Sequence, residues 1–399
     1  VSVTAAKGFE AFGLASGIKP SGAPDLAMIA TASRRPVVAA GVFTSNLVQA
    51  APVQISKRHL RSGTATAVVL NSGNANAATG EAGRVDAQRM CELTAAAIGC
   101  ATDDVLVCST GLIGIPMPMA PVESGVPELA TKLRGDASGS DAAADAILTT
   151  DTVRKTAVAT VDLGHGLVGT VGGIAKGAAM LNPAMATMLA VVTTDVAIEQ
   201  PALKAALELA IDRSFNQISV DGCTSTNDTV LVLASGAVKN RPLTAGGVAF
   251  HAFAAALAGV CSSLAEQMVD DAEGATKRAR IVVRGARSKK EARLAVRGVA
   301  NSQLVQCSLY GSDPYWGRVL SELGASGARF KPEMVDISYN GVLVCHEGIA
   351  APHDEASLAA SMQRREVEIV CDLGAGTDEA TILTTDLTHA YVDENMGTS

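Results

Sequence analysis

The segment whose residue types could do most chemistry is GGIAKGAAMLNPAMATMLAVVTTD (172–195). It places Lys176 in a glycine-rich loop, then Pro183, then Thr187 at the mouth of an apolar run. A lysine there can meet a carboxylate. A threonine hydroxyl is a weak nucleophile that needs a nearby base. Read alone, a threonine opening such a run is an ordinary strand residue. A second group follows DVLVC: Ser109-Thr110-Gly111 offers hydroxyls and a backbone N–H where an oxyanion could rest, or a plain strand-to-loop turn. A third is acidic, Asp270, Asp271 and Glu273, which reads alone as the solvated end of a helix.

Other patterns carry less. Gly164-His165-Gly166-Leu-Val-Gly169 fits GxGxxG, but a dinucleotide site needs a helix after it, and another strand-like run follows. The loop around Lys176 has no Gly-Lys-Ser/Thr, and no GxSxG elbow occurs. The six histidines show no HExxH or paired spacing, and the eight cysteines show no CxxC. No metal site is expected, and most cysteines are expected as reduced core residues of a cytoplasmic protein.

Several elements must position these groups. AVVLNSG (67–73) and DVLVCSTG (104–111) read as strands flanking a helix over 84–99. Residues 155–163 and 166–171 read as a hairpin around Gly164 to Gly166. Helices are expected over 201–214, 246–270 and 288–301, and strands over 229–236, 280–286, 335–344, 366–373 and 379–386. LRGDASGSDA (133–142) reads as a surface loop. ILTTD at 147–151 and 382–386, with VVTTD at 191–195, reads as a strand end followed by a turn-starting Asp. Mixed hairpins and helices favour α+β layers.

Composition excludes whole classes. The chain has 399 residues, 48% hydrophobic and 18% charged, which is ample for a core. Aromatics are 3% and net charge is -8, so nucleic acid is not an expected partner. The apolar stretches at 184–192 and 247–260 fall short of the ~18–20 residues of a membrane span, so none is expected. The opening VSVTAAKGFE lacks the basic and apolar regions of a secretory leader, so none is expected there.

The 176–189 segment resembles the self-cleavage site of the ornithine acetyltransferase family, also called glutamate N-acetyltransferase. The shared pattern is Lys-Gly-x-x-Met-x-x-Pro-x-x-Ala-Thr-Met-Leu. Further family-like blocks follow in order: Ser21-Gly22, GVFTSN (41–46), NSGNANAATG (71–80), CSTGLIG (108–114), ILTTDTVRK (147–155), DGCTSTNDTV (221–230), DAEGATKR (271–278), GSDPYWGR (311–318) and TTDLTHAYV (384–392). They span nearly the whole chain.

The resemblance implies a layered α/β sandwich of the α+β class, of the self-processing N-terminal-threonine acyltransferase type. It implies cleavage between Ala186 and Thr187, giving an α chain of 1–186 and a β chain of 187–399 that stay associated as α2β2. Cleavage would give Thr187 a free α-amine beside its own hydroxyl, with an ordinary pKa of about 7.7–8.0, suited to general acid–base work. Thr187 would take acetyl from N2-acetyl-L-ornithine, and L-glutamate would then accept it. Thr110 and Gly111 would form the oxyanion hole. Thr150, Lys176, Thr187, Glu273, Asn395 and Ser399 would contact substrate, with Thr398 the alternative to Ser399. No metal or organic cofactor is implied; acetyl-CoA stands as a further acetyl donor in some members.

This chain departs from the family pattern in three places. Tyr315 stands where the family has Asn, the ending after Asn395 lacks the usual Tyr, and Ala178-Ala179 replaces a frequent Gly before Met180. Two other readings remain at this stage. One is an N-terminal-nucleophile amidohydrolase or aminopeptidase of related architecture that passes the acyl group to water. The other is a non-enzymatic α/β binding protein.

Overall fold

The computed structural model describes residues 2–180 and 188–397. Ala186, Thr187, Thr398 and Ser399 therefore lie outside the described residues. The chain divides into two compact units. The first takes in 1–177, 183–216 and 224–268; the second takes in 178–182, 217–223 and 269–399.

Among its described residues the first unit holds two stacked sheets. One has four strands in the order Phe9–Leu14, Leu26–Thr31, Ala67–Asn74, Val105–Leu112. The other has six: Thr64–Ala65, Val37–Phe43, Thr229–Ala234, Leu189–Thr194, Val168–Lys176, Lys155–Asp162. Alternate residues of the four-stranded sheet serve two cores. Ile29, Val68, Leu70 and Leu106 pack towards Ile174, Leu189, Val191, Leu231 and Leu233 of the other sheet. Leu26, Met28, Val69 and Val107 pack against helices carrying Met90, Val122 and Leu129. Both faces are covered, which is why these strands read as unbroken apolar runs.

The expected strand–helix–strand unit is present, with helix Gly80–Ile98 crossing between parallel strands Ala67–Asn74 and Val105–Leu112. The GxGxxG match is the expected hairpin turn, joining antiparallel strands at Gly164 to Gly166. Residues 133–142 are corrected: helix Ala137–Ala146 occupies most of that stretch. Asp136 caps it by accepting a hydrogen bond from Gly139 N at 3.0 Å. Its Gly, Ala and Ser residues look like linker composition, yet small side chains suit a helix packed closely on strand Phe9–Leu14.

The apolar stretch from 247 also needs correction. Helix Val248–Asp270 has 23 residues and, by length and composition, is long and apolar enough to cross a membrane. Its buried residues recur at helical spacing: Phe250, Phe253, Leu257, Val260, Leu264, Met268. His251, Gly259, Ser263 and Glu266 are on the exposed side. That is the pattern of a helix lying on a core.

The second unit contains a seven-stranded sheet in the order Ile218–Ser219, Asp378–Thr385, Arg278–Ala286, Glu366–Asp372, Asp336–Tyr339, Val342–His346, Ile349–Ala350. Ala279, Ile281, Val283, Val367, Ile369 and Cys371 enter one core with residues of helices Lys289–Ala300, Gln303–Tyr310 and Trp316–Ala325. Arg280, Arg284, Glu366 and Glu368 alternate with them and are exposed. Ser288 caps the first of these helices, accepting from Glu291 N at 3.2 Å. The single strand expected over 335–344 is instead a hairpin. Asn340 and Gly341 both have positive φ (49° and 82°), the two-residue turn that Asn-Gly favours. Tyr315 precedes helix Trp316–Ala325 in an exposed position, with the Arg318 guanidinium over its ring.

The TTD echoes share one local device. Asp195 accepts from Thr170 N at 2.7 Å, and Asp386 accepts from Thr276 N and Lys277 N, both at 2.9 Å. All eight cysteines are free. Cys91, Cys108, Cys261, Cys345 and Cys371 are buried, whereas Cys223 and Cys307 are exposed. Burial pushes the Cys108 and Cys261 thiols up to about 12, which makes them inert at neutral pH.

Candidate active site

In the first unit, strand Val105–Leu112 delivers Thr110 and Gly111 to the end of the four-stranded sheet. Gly111 has φ 132°, and a Cβ there would lie 2.3 Å from the Gly73 carbonyl carbon on the neighbouring strand. Only glycine fits so close a backbone approach. Gly111→Ala is therefore expected to cost folding yield as well as activity, a loss read from soluble yield and melting temperature together. Asn227 fastens the strand from the other side, donating to Ser109 O at 2.8 Å and Ala75 O at 2.6 Å.

Lys176 ends strand Val168–Lys176 and is 4% exposed. Its ammonium donates to Thr149 Oγ1 at 2.6 Å and to Thr110 Oγ1 at 3.4 Å. It also stands 3.6 Å from Asp151 Oδ2. Asp151 is the hub. Its Oδ1 accepts from Lys155 Nζ at 2.6 Å and from Gly177 N at 2.7 Å. Its Oδ2 accepts from Thr149 N at 3.1 Å. Burial alone would push the Asp151 carboxyl up. The ammonium groups of Lys176 and Lys155 outweigh that, with help from Gly177 N–H, and hold it well below the usual carboxylate range.

Thr110, Gly111 and Lys176 are thus brought together. Thr149 makes the contact to Lys176, and Thr150 is exposed in the same turn. Thr149, Asp151 and Asn227 carry no signal of their own in the sequence, although they sit in the family-like blocks 147–155 and 221–230.

Asp228, also in the second of these blocks, has equally little signal. It is 1% exposed and accepts from Met188 N at 2.9 Å, the residue that follows Thr187 in sequence. Its second oxygen is buried and has no hydrogen-bond partner among the described residues. Burial drives this carboxyl well above its ordinary value. The Met188 N–H, the nearby Ser225 hydroxyl, Lys176 and Thr44 oppose it only in part. Burial and partnership therefore move the two carboxyls in opposite directions, Asp151 down and Asp228 up.

In the second unit, Glu273 and Asn395 meet. Asn395 Nδ2 donates to Glu273 Oε2 at 2.8 Å, and Glu273 N donates to Ala178 O at 3.0 Å. Asn395 also donates to Tyr391 O at 2.8 Å, and Tyr391 OH donates to Asp221 Oδ2 at 3.2 Å. Burial and the Asp221 carboxylate push the Tyr391 phenol up, which keeps it a donor. Glu273 is buried, so it is not the solvated helix end that its position suggests when read alone. Among the described residues, no three His, Cys, Asp or Glu side chains gather as a metal-ligand set.

The layered α+β framework with a buried lysine beside a Thr-Gly strand end is compatible with an acyltransferase, and similarity to known proteins places the chain in that enzyme class. The ArgJ family model matches residues 10–397, so the chain belongs to the ArgJ family, the ornithine acetyltransferases that the sequence motifs resemble. The arginine biosynthesis bifunctional protein ArgJ of Streptomyces coelicolor is 48% identical over 400 residues, covering all of both chains. Its namesake from Symbiobacterium thermophilum is 47% identical, covering 98% of this chain and 97% of the other. The crystal structure of arginine biosynthesis bifunctional protein ArgJ from Bacillus halodurans is 34% identical with a TM-score of 0.50. The match covers 51% of this chain and 96% of that one.

Proposed function

We propose that this protein transfers acetyl from N2-acetyl-L-ornithine to L-glutamate through an acetyl ester on Thr187, after cutting itself between Ala186 and Thr187. The observation that carries this reading is the Lys176 ammonium held between Thr149 and Thr110, next to Gly111. It joins a carboxylate-binding cation to the Thr110–Gly111 oxyanion pair. Full-length relatives that carry the name of a bifunctional arginine-biosynthesis protein support the pathway. The Bacillus halodurans chain supports the cut, since 96% of it matches only 51% of this chain, as one half of a divided chain would.

The steps follow from the groups in hand. Thr187 Oγ attacks the Ala186 carbonyl carbon, the peptide C–N bond breaks, and the acyl group passes from nitrogen to oxygen. That shift leaves the α-amine of Thr187 free, and water then hydrolyses the ester, releasing the Ala186 carboxylate and restoring the Thr187 hydroxyl. That amine takes the hydroxyl proton when Thr187 Oγ attacks the acetyl carbonyl, and passes it to the leaving nitrogen of ornithine. The amine of glutamate then attacks the acetyl ester, the bond from the acetyl carbon to Thr187 Oγ breaks, and the Thr187 α-amine carries the proton from the glutamate nitrogen to that oxygen. The Thr110 hydroxyl and Gly111 N–H receive the oxyanion in both half-reactions. Proposed substrate contacts are Thr150, Lys176, Thr187, Glu273, Asn395 and Ser399, with Lys176 meeting a carboxylate and Glu273 an amine. Acetyl-CoA is a proposed second donor, and no other cofactor enters the scheme.

In the six-stranded sheet two strands that follow the cut lie between two pairs that precede it. Val168–Lys176 pairs with Leu189–Thr194, and Thr229–Ala234 pairs with Val37–Phe43. The two products would therefore remain associated, and α2β2 is the proposed assembly. The cytoplasm is the proposed compartment. The test follows labelled acetyl from N2-acetylornithine in the presence and absence of glutamate. Label on glutamate supports the reading. Label released only as acetate overturns it in favour of a hydrolase.

A further inference from the structure

The loop at 16–19 wraps around Asp25, which is fully buried. Ser16 N and Ser16 Oγ donate to one carboxylate oxygen at 2.7 and 2.8 Å. Gly17 N and Lys19 N donate to the other at 3.1 and 2.9 Å. Four bonds to one buried carboxylate fix where the loop can place Lys19. The side chain crosses Gly73, where an added Cβ would lie 2.9 Å from Lys19 Cγ. Gly73 is the residue paired with Gly111.

The Lys19 ammonium ends at the turn that also holds Lys176. It donates to Leu148 O at 2.6 Å and to Pro24 O at 2.8 Å. The next residue, Thr149, accepts from Lys176 Nζ. Two ammonium groups are thus anchored on consecutive residues. Of the two carboxylates whose charge reaches Lys19, Asp25 is taken up by the 16–19 loop and Asp151 by Lys155, Lys176 and backbone N–H groups. Carbonyl oxygens can orient Lys19 but cannot cancel its charge. Burial lowers the Lys19 pKa and Lys176 lowers it further, against the pull of Asp25 and Asp151. Like charges so placed repel until an anion joins them.

We propose that Lys19 is a specificity-determining residue that, together with Lys176, receives the two carboxylates of the acidic acyl acceptor. The proposal rests on the acetyl-transfer reading above and deepens it. Glutamate carries two carboxylates. N2-Acetylornithine carries one, and its δ-ammonium would be repelled by a second cation. Lys19 thereby favours the acceptor over the donor in the second half-reaction.

The test is steady-state kinetics of Lys19→Gln, which keeps a donor for the Leu148 and Pro24 oxygens but removes the charge. Lys19→Arg is the rescue variant. The expected result is a KM for glutamate raised about 10–100-fold, the loss typical of one charge-assisted contact. The KM for N2-acetylornithine should stay within about threefold, and Lys19→Arg should recover most of the loss. An unchanged glutamate KM, or both KM values rising together, would overturn the proposal. A wild type that passes acetyl only to water would instead overturn the parent reading, so the two failures are distinguishable.

Discussion

Thr187→Ala is expected to give one uncut chain with acetyl transfer reduced by about 10⁴-fold or more, the scale seen when a covalent nucleophile is removed. The single substitution removes two groups. Without the hydroxyl there is no attack on the Ala186 carbonyl, so no cut. Without the cut there is no free α-amine to act as base. Thr187→Ser keeps a hydroxyl and should restore both the cut and part of the activity. Intact mass under denaturing conditions reads the first effect, and acetyl transfer reads the second. A Thr187→Ala protein that is cut as fully as wild type would show that another group does the processing.

The second large effect is expected at Asp151. Lys155 is fully buried and Lys176 nearly so, and one carboxylate pairs with both. Asp151→Asn would remove a buried carboxylate that two buried ammonium groups share. Breaking a buried pair in this way typically costs about 3–5 kcal/mol. The melting temperature should fall by about 10 °C or more. Activity should fall with it, because Asp151 also positions Lys176 and the Thr149 turn.

The pH dependence has a definite sign. The folded-state pKa of Asp151 is depressed, so its contribution is complete above the unfolded carboxylate value and is lost as pH falls towards the folded one. The stability gap between wild type and Asp151→Asn should therefore be widest near neutral pH. It should narrow below about pH 4, where the unfolded carboxyl begins to protonate. A gap that kept its neutral-pH value well below pH 4 would contradict the ionised pairing.

Much of this architecture was legible in the residues. The parallel strands around helix Gly80–Ile98 follow from apolar runs ending in Asn71-Ser-Gly73 and Ser109-Thr-Gly111. The glycine-bounded hairpin at 164–166 was equally plain. The failures have local causes. Helix Ala137–Ala146 is built from small residues that composition assigns to a loop. The strand expected over 335–344 conceals an Asn-Gly turn between two short apolar runs.

The site was half legible. Lys176, Thr110 and Gly111 come together as the motifs implied, and so do Glu273 and Asn395. Thr187 and Ser399 lie outside the described residues, and their proposed roles rest on the sequence resemblance. The buried settings of Asp151 and Asp228 were not legible, because an aspartate in a Thr/Asn-rich turn looks like any capping residue. What separates them is burial and partnership, and neither is local in sequence. Two lysines gather on Asp151, while Asp228 accepts from Met188 N and its second oxygen has no hydrogen-bond partner among the described residues. Lys19 is concealed for the same reason, since Leu148 lies 129 positions away along the chain.

The most direct measurement of the central claim is the denaturing intact mass of wild-type protein after brief exposure to N2-acetylornithine without glutamate. The account predicts two chains, 1–186 and 187–399, with about 42 Da added to the second chain alone, as an acetyl ester on its first residue requires. Glutamate added afterwards should remove that mass. A single full-length chain, or an acetyl group on any residue other than Thr187, would contradict it.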